Sequence, residues 1–288
     1  MSYPRDLVLW KLSRVLKQAR WDGAVTAAVA GRRVGLTASE VYKIEAGTLL
    51  PRLDTAEGLL EVYKGAASLR AAVAGLVAKG GMAPPWWFAN RSVLSPGEHL
   101  YLSMESEAIR IRYYDPVVLP AVLQTDVYAA DLYAWRPGVT VDQVTRLVRL
   151  HRDRRTLGRA RPARFEVVVD ETVLHRLTVP GLAHTQPLDQ LLSGLHGTGC
   201  SVRTLPTAAG LHPASATGGF TIFDLPDIAP GVPAPTVVYR PDVDKPVLLD
   251  TDEAVEPYLN IWSALEATAE DPRRDLGSLH GEHAKEWT

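Results

Sequence analysis

The most reactive combination of side chains in this sequence lies at residues 170–175, where two acids and a histidine occur together. Asp170 and Glu171 follow the apolar run "FEVVV", and His175 comes one helical turn later. Adjacent carboxyl and imidazole groups can transfer protons. The same acids also suit the first turn of a helix, because Asp is a good N-cap and the helix dipole stabilises Glu there. We expect these capping roles and predict no catalytic residue.

Metal and cofactor sites have no recognisable pattern. The histidines show no paired spacing of the HExxH kind, and Cys200 is the only cysteine. The glycines of "GTG" at 197–199 and "TGGF" at 217–220 lack the spacing of a phosphate-binding loop. The sequence therefore predicts neither a metal nor a cofactor.

A second group of polar residues has the spacing of a DNA-reading motif. Residues 26–45 fit a helix of about eight residues, a short turn with glycine, and a second helix. Ser39 and Lys43 can bond to base edges or phosphates, Tyr42 can contact phosphate or stack, and arginines suit phosphates. The candidate DNA-binding residues are Thr26, Arg32, Arg33, Thr37, Ser39, Tyr42, Lys43, Arg14, Lys17 and Arg52. On spacing alone, an ordinary helical hairpin with solvated charges is the alternative.

Polar residues in the second half of the chain could line a small-molecule pocket. Such pockets are concave and apolar with a few polar groups that orient the ligand. The candidates are Gln124, Tyr128, Arg149, Arg152, Glu171 and His212. The alternative for each is a place in a hydrogen-bond network between domains.

The N-terminal candidates lie in a region with helical periodicity from residue 7 to about 79, which fits four or five helices. Leu9, Leu12, Leu16 and Ala19 form an apolar stripe, with Lys11, Arg14, Lys17 and Arg20 mostly off it. Further along, one threonine caps each helix of the hairpin and a glycine makes the turn between them. We expect Thr26 to cap a helix over residues 27–33, Gly35 to form the turn, and Thr37 to cap a second helix over residues 38–45. Gly47 is expected to end that second helix, and a later helix is expected to begin at Asp54 or Thr55. The residues expected to face inward are Val29, Ala30, Val34, Leu36, Val41 and Ile44.

The remainder of the chain mixes helices and short strands. Residues 81–97 carry glycine, proline and three adjacent aromatic residues, so we predict a linker whose aromatic side chains pack on a neighbouring domain. Residues 98–288 then form the second domain. Its predicted helices are "EHLYLSMESEAIRIRYYD" to about Tyr114, "DVYAADLYAW", a long helix capped at Thr140, a short helix after "RFEVVVDE", "HTQPLDQLLSGL" and "DEAVEPYLNIWSALEATAE". Its predicted strands are "RFEVVVDE", "CSVRTLP", "GGFTIFDL", "PTVVYR" and "KPVLLD". These elements indicate an α+β domain with a small, mostly antiparallel sheet.

Charge is distributed unevenly along the chain. Residues 1–80 contain 12 Lys and Arg against 7 Asp and Glu, a net charge of +5, and the rest of the chain has a net charge of −7. A basic head on an acidic body is typical of a nucleic-acid-binding region joined to a region with another task. No apolar run has the length of a membrane span, and the charged N-terminus does not look like a signal peptide. We expect a cytoplasmic protein without membrane contact.

The segment "VTAAVAGRRVGLTASEVYKIEAGTLLPRLDT" resembles the Xre-type, lambda-repressor-like helix-turn-helix. The resemblance is most specific at "KIEAG" and also covers Arg32-Arg33, Gly35, Thr37 and Pro51. Members usually carry a glutamine directly after the threonine of the second helix, where this chain has Ala27. Ala38 stands at another commonly polar position. The resemblance implies an all-α, lambda-repressor-like DNA-binding domain over residues 1–80.

The later sequence is similar to the C-terminal domain that follows this head in a large group of actinobacterial regulators. "MESEAIRIRYYDPVVLPAVLQTDVYA" and "RLVRLHRDRRTL" carry the resemblance, followed by "FEVVVDETVLHR" and "CSVRTLPTAAGLHPASATGGFTIFDL" in the same order. It implies a regulator whose second domain senses a ligand or binds a partner, often a small antitoxin-like protein.

Two functions follow from these patterns. The first is a homodimeric transcription regulator that binds double-stranded DNA and responds through its second domain to a small molecule or partner protein. The second is a biosynthetic enzyme or metabolite-binding protein on the same scaffold, with a degenerate head, which Ala27 and Ala38 suggest.

Overall fold

The computed structural model describes residues 4–80, 85–159, 164–177, 200–228, 232–242 and 246–271. The chain divides into two compact units. The first unit contains the chain up to Ala89 together with Glu98–Glu107 and Pro226–Ala234. The second contains Asn90–Gly97, Ala108–Leu225 and the chain from Pro235 onward. A helical head and a unit of mixed helices and strands confirm the predicted fold class.

The helices of the head begin and end near their predicted positions. Predicted helices at 27–33 and 38–45 are observed at Ala27–Val34 and Ala38–Glu45, because Thr26 and Thr37 cap them as expected. The first helix of the later chain, from Glu98 onward, also belongs to the first unit. In chain order these helices are α1 (Pro4–Asp22), α2 (Ala27–Val34), α3 (Ala38–Glu45), α4 (Leu53–Val62), α5 (Ala67–Gly80) and α6 (Pro96–Glu107).

Helix α1 lies at the centre of the first unit and packs against α3, α4 and α5. Because several of its faces are covered, more of its residues are buried than one apolar stripe predicts, and Lys11 is only 4% exposed. In α2 the expectation for Val29 is wrong: its side chain is 38% exposed, and Ala27 and Gly31 take the buried positions instead. The buried residues of this core are Val8, Leu12, Val15, Leu16, Ala19, Ala27, Ala30, Val41, Ile44, Ala56, Leu59, Leu60, Tyr63, Val73 and Leu76.

Two smaller predictions concern the ends of this region. Helix α4 begins at Leu53, earlier than predicted, and its N-cap residue Arg52 makes no side-chain capping bond. Asp54 instead accepts a hydrogen bond from the Thr55 amide at 2.7 Å within the first turn. In the aromatic segment, Trp87 is 3% exposed and meets Trp86 edge to face at 5.4 Å. Packing of these side chains on a neighbouring domain stays a prediction.

The second unit is built on a six-stranded mixed sheet with strand order β3-β2-β1-β4-β5-β6. Strands β1, β2 and β3 pair in parallel, whereas the pairs β1–β4, β4–β5 and β5–β6 are antiparallel. The strands are β1 (Arg110–Asp115), β2 (Arg164–Asp170), β3 (Cys200–Leu205), β4 (Phe220–Asp224), β5 (Val237–Arg240) and β6 (Val247–Leu249). The helices of this unit are α7 (Asp126–Ala134), α8 (Val141–Arg159), α9 (Glu171–Leu177) and α10 (Asp252–Thr268).

Strand β1 corrects the prediction of a helix up to about Tyr114. Helix α6 ends at Glu107, and Arg110–Asp115 forms a strand between β2 and β4. Local helical spacing continues through this stretch, but backbone pairing on both sides decides its conformation. The other predicted helices and strands agree with the structure, except "HTQPLDQLLSGL", which lies outside the described residues.

One face of the sheet packs against α10. Tyr114, Val168, Phe220 and Ile222 from neighbouring strands share a core with Trp262 and other residues of that helix. A separate core joins α7 to α8 through Ala129, Tyr133 and Leu147. These packed layers hold the carboxyl ends of the parallel strands and the α7–α8 pair, where the candidate ligand residues lie.

Candidate functional site

The helical hairpin has a tight turn that glycines make possible. Gly35 has a φ of 75°, a conformation that favours glycine, and ends α2 by a backbone bond to Gly31. A Cβ on Gly31 would lie 2.5 Å from the Leu36 carbonyl oxygen, so a larger residue would push the two helices apart. The spacing of the hairpin had predicted Gly35 but not the need for Gly31.

The first turn of α3 is fixed by a capping box. The Glu40 amide donates to the Thr37 hydroxyl at 3.2 Å, and the Glu40 carboxylate accepts from the Thr37 amide at 2.8 Å. The Thr37 backbone and hydroxyl donors lower the pKa of Glu40, so this carboxylate stays ionised. Thr26 caps α2 in the same way, accepting a bond from the Val29 amide at 3.3 Å. Both threonines therefore fix the helix ends through their side chains.

Three of the candidate DNA-binding residues share the outer face of α3. Ser39, Tyr42 and Lys43 are exposed, at spacings of three and four residues that place them on one side of a helix. Tyr42 is 58% exposed. Arg32 and Arg33 are exposed in the last turn of α2. Within the described part of the chain, none of these five side chains makes a hydrogen bond or an ion pair.

The other cationic candidates have partners nearby. Arg52 is exposed and lies 3.4 Å from Asp54. On α1, the guanidinium of Arg14 lies 5.5 Å from the ring of Trp10, and the ammonium of Lys17 lies 4.8 Å from the ring of Trp21. Lys17 and Arg52 are exposed, and contacts of this kind between exposed groups contribute little stability, so these two cations keep their charge available to an external anion. Arg14 is half-buried.

A buried ion pair holds the far end of α3, and the sequence patterns did not reveal it. Arg20 of α1 donates to both carboxylate oxygens of Glu45 at 2.7 and 2.8 Å, and to the Val25 carbonyl oxygen at 3.1 Å. The Tyr63 hydroxyl donates to the same carboxylate at 3.3 Å. The hydrogen bond to Glu45 raises the pKa of Arg20, and burial raises the pKa of Tyr63. The acid of "KIEAG" therefore ties α3 to α1 and α4 rather than facing a ligand.

The two alanines at commonly polar positions have packing roles. Ala27 is 1% exposed and belongs to the core of the first unit, and Ala38 is partly buried against that core. A polar side chain at either position would have to displace core atoms or turn outward. Their identity therefore follows from packing in this chain.

In the second unit, the acids at residues 170–175 are engaged in local structure. Asp170 accepts from the amide and the hydroxyl of Thr172 at 2.9 and 2.6 Å, which confirms the predicted cap. Glu171 accepts from the amide and the hydroxyl of Thr207 at 2.6 and 2.8 Å. Its other carboxylate oxygen lies 3.7 Å from Nε2 of His175. These bonds join α9 to the segment that follows β3.

Gln124, Tyr128 and Arg152 come together between β1 and α8, and all three make bonds within the protein. The Gln124 side-chain amide donates to the Leu119 carbonyl oxygen at 2.6 Å, and the Leu119 amide donates to the Tyr128 hydroxyl at 3.2 Å. Arg152 donates to Asp126 at 2.9 Å. These bonds fold the "LPAVLQTD" turn onto itself and onto α8.

Arg155 completes this network, and the ligand-site prediction had not included it. It donates to the Gln124 carbonyl oxygen at 2.6 Å and to Asp126 at 3.0 Å. Burial works against ionisation of Asp126, but the two arginines outweigh it and lower its pKa. Of the remaining candidates, Arg149 is exposed, and His212 packs edge to face on Tyr114 with ring centroids 6.0 Å apart. The six ligand candidates thus lie in three groups: Gln124 with Tyr128 and Arg152, Glu171 beside Thr207, and His212 against Tyr114.

Buried His151 lies beneath the same turn. It is 1% exposed, and its Nε2 lies 3.4 Å from the Gln124 carbonyl oxygen. Burial lowers its pKa to about 4, so the ring is neutral at physiological pH. His184 and His196 lie outside the described residues.

Comparison with protein families finds two models that match separate ranges of the chain. A helix-turn-helix domain model matches residues 11–73. A second model, described as a domain of unknown function (DUF5753), matches residues 99–279, more than half of the chain. The chain belongs to the DUF5753 family. The helix-turn-helix match indicates a DNA-binding regulator, whereas the DUF5753 description assigns no activity to the second region.

Comparisons with curated proteins and with solved structures found no match. In the part of the chain that the structure describes, no helix is long and apolar enough to cross a membrane.

Proposed function

We propose that this DUF5753 protein is a homodimeric transcription regulator with an Xre-type head. Its second unit would respond to a small molecule or a small partner protein. The observation that carries the proposal is the outer face of α3, where Ser39, Tyr42 and Lys43 are exposed and unbonded within the described chain. Helix-turn-helix proteins place this face in the major groove.

The shape of the motif supports DNA binding because both ends of α3 are fixed before DNA arrives. The Thr37–Glu40 capping box holds its first turn, and the Arg20–Glu45 pair holds its last residue. A preorganised helix loses little conformational entropy on binding. The reading surface can therefore dock as a rigid body.

Affinity is expected to come mainly from phosphates. Arg32 and Arg33 are exposed beside the reading helix, and the first 80 residues carry a net charge of +5. Neutralising phosphates releases counterions, so binding weakens as salt rises. Base discrimination would rest on few side chains, chiefly Ser39 and Lys43, because Ala38 packs toward the core.

Dimerisation follows from the proposed mode of reading. A single short helix contacts few base pairs, and such heads gain specificity by pairing two recognition helices roughly 34 Å apart on a palindromic site. The acidic second region is the proposed dimerisation and sensing unit. The alternative is an enzyme or metabolite carrier with a degenerate head, and the alanines at Ala27 and Ala38, which pack on the core, are compatible with both functions.

A titration of the full-length protein against its own promoter, at several salt concentrations, tests the proposal. We expect binding that falls steeply with salt and a site with two-fold symmetry. Replacing Arg32 and Arg33 together with alanine should reduce the slope of log affinity against log salt by about 2. Lys79→Ala, at an exposed position in the last turn of α5, is the control and should leave the slope unchanged. Absence of binding even at low salt would refute the proposal.

A further inference from the structure

The first unit includes two segments that come from later in the chain. The first is α6, from Glu98 to Glu107. Within this unit, the Lys11 ammonium of α1 forms an ion pair with the Glu107 carboxylate. The Lys11 side chain is 5% exposed and that of Glu107 is 33% exposed. Because a buried ammonium is costly without a partner, α1 depends on α6 for this charge.

The second segment is Pro226–Ala234, which connects β4 to β5. Ile228 and Val232 pack against the same core that holds α1, α3, α4 and α5. The Ile228 amide donates to the Val232 carbonyl oxygen at 2.8 Å, which brings the two apolar side chains onto the same short stretch. The core of the head is therefore completed by residues that lie about 150 positions beyond the end of α5 in the sequence.

Both segments continue through the covalent chain into neighbouring strands of the sheet. Helix α6 ends three residues before β1 begins at Arg110, and the other segment leaves β4 after Asp224. In the register of the sheet, Arg110 is opposite Asp224, and Phe223 is opposite Val237. The points at which the two segments join the sheet are therefore adjacent.

A polar clasp links β1, β4 and the residue before β5 near the points where the two segments join the sheet. Arg112 of β1 donates to both oxygens of Asp224 at 2.7 and 2.8 Å, and the Thr236 hydroxyl donates to Asp224 at 2.9 Å. The Ile109 amide also donates to the Asp224 carbonyl oxygen at 2.9 Å. The Arg112 side chain is 9% exposed, so the pair is protected from water.

We infer that the clasp of Arg112, Asp224 and Thr236 regulates the DNA-binding head through α6 and Pro226–Ala234. The inference rests on the proposed function, since it names the route by which the second unit would change DNA affinity. A ligand or partner that rearranges β1, β4 or β5 moves the ends of both segments together. The head then loses or gains its contacts with α6 and Pro226–Ala234, and the free energy of local unfolding of α1 to α5 changes accordingly.

Hydrogen exchange of the full-length protein, followed by mass spectrometry, tests the route. Ile228→Asp places a charge against the core of the head, and we expect exchange in peptides of α1 and α5 to become at least tenfold faster. Asp224→Asn weakens the clasp at a site outside the head and should accelerate the same peptides at least threefold. Val141→Asp, at a position 85% exposed in the second unit, is the matched control and should leave them unchanged.

Asp224→Asn leaves Arg112 without its charge partner and can unfold the sheet, so Thr236→Val provides a milder change that removes one hydrogen bond. We expect about twofold faster exchange in α1 and α5 with this variant. Faster exchange in the sheet alone, with unchanged head peptides in both clasp variants, would overturn the inference.

DNA affinity, measured on the same variants by fluorescence anisotropy, separates this inference from the proposed function. Weaker promoter binding in the clasp variants, with faster exchange in the head, supports both. If the clasp variants accelerate exchange in the head but the parent protein binds no DNA, the coupling between the clasp and the head is retained and the proposed DNA-binding function is rejected. Promoter binding by the parent protein, with head exchange unchanged in the clasp variants, rejects the coupling alone.

Discussion

Two helical pairs of this protein carry similar polar side chains and use them differently. On α2 and α3, Ser39, Lys43 and the two adjacent arginines face outward, without side-chain bonds in the described chain. On α7 and α8, Arg152 and Arg155 bond to Asp126, and Gln124 is buried in the turn before α7. The two pairs have similar residue types at similar helical positions. They differ in whether those side chains are available to a ligand.

The difference arises from what each helix pair packs against. Helix α3 buries one side, through Val41 and Ile44, and leaves the other to solvent. The "LPAVLQTD" turn, in contrast, leaves the buried backbone carbonyls of Leu119 and Gln124 outside any helix or strand, and nearby polar side chains donate hydrogen bonds to them. Polar residues beside irregular buried backbone therefore support the fold before they can bind a ligand. Substitutions in each group separate residues that stabilise the fold from residues that are available for binding.

The largest effect is expected at Glu45, the acid of the reading motif that faces inward. Glu45→Ala leaves Arg20 without its partner in a site where its side chain is 12% exposed. Breaking a buried pair in this way costs about 3–5 kcal/mol, so the head should unfold well below the parent midpoint. Urea denaturation followed by circular dichroism measures the change. Glu57→Ala, on the exposed side of α4, is the control, and a similar loss there would contradict the assigned role.

A pH-dependent effect is expected at His151. Its pKa is about 4 in the folded protein against 6.5 for an exposed histidine, so the unfolded chain binds the additional proton as pH falls from 6.5 to 4. Stability is therefore retained above pH 6.5 and lost through this window, by about 3 kcal/mol. His151→Gln should flatten the dependence when unfolding midpoints are measured from pH 4.5 to 7.5. An unchanged slope would show that other groups control the acid response.

An intermediate effect is expected at Gly219, in the "TGGF" segment. A Cβ there would lie 2.9 Å from Oδ2 of Asp115 and 3.3 Å from the Tyr114 carbonyl oxygen. Gly219→Ala should destabilise the second unit by about 1–3 kcal/mol through overpacking. Gly75→Ala in α5 meets no atom within 4 Å and should stabilise the protein by about 0.5–1 kcal/mol. Thermal unfolding of both variants checks the opposite signs.

The smallest effect on stability, and a selective effect on binding, is expected at Lys43. Lys43→Ala removes an exposed side chain, so unfolding should change by less than about 0.5 kcal/mol. Promoter affinity should fall by about 1–3 kcal/mol if the side chain reads a base, and less for unrelated DNA. Competition binding with both duplexes measures the difference. Equal affinity and selectivity in the parent and the variant would remove Lys43 from the reading surface.

Much of the local structure could be predicted from short-range patterns. Thr26, Thr37 and Gly35 place the hairpin because caps and left-handed turns depend on a few consecutive residues. The strand Arg164–Asp170 is visible as a buried apolar run. Strand β1 was mistaken for a helix because its conformation depends on partners about 55 and 110 residues away. The reading residues on α3 stay a prediction, although their exposure agrees with it.

Local patterns in the chain are enough to identify the class of each unit, the helix-turn-helix spacing and the chemistry that each side chain can perform. The folded structure adds that Glu45 faces Arg20, that Arg155 supports the turn at Gln124, and that Ile228 and Val232 complete the core of the head. Caps and periodicity act over a few residues, whereas ion pairs and core contacts join segments whose separation leaves no local pattern. For that reason, the chain shows which residues can bind, and the fold decides which of them are available.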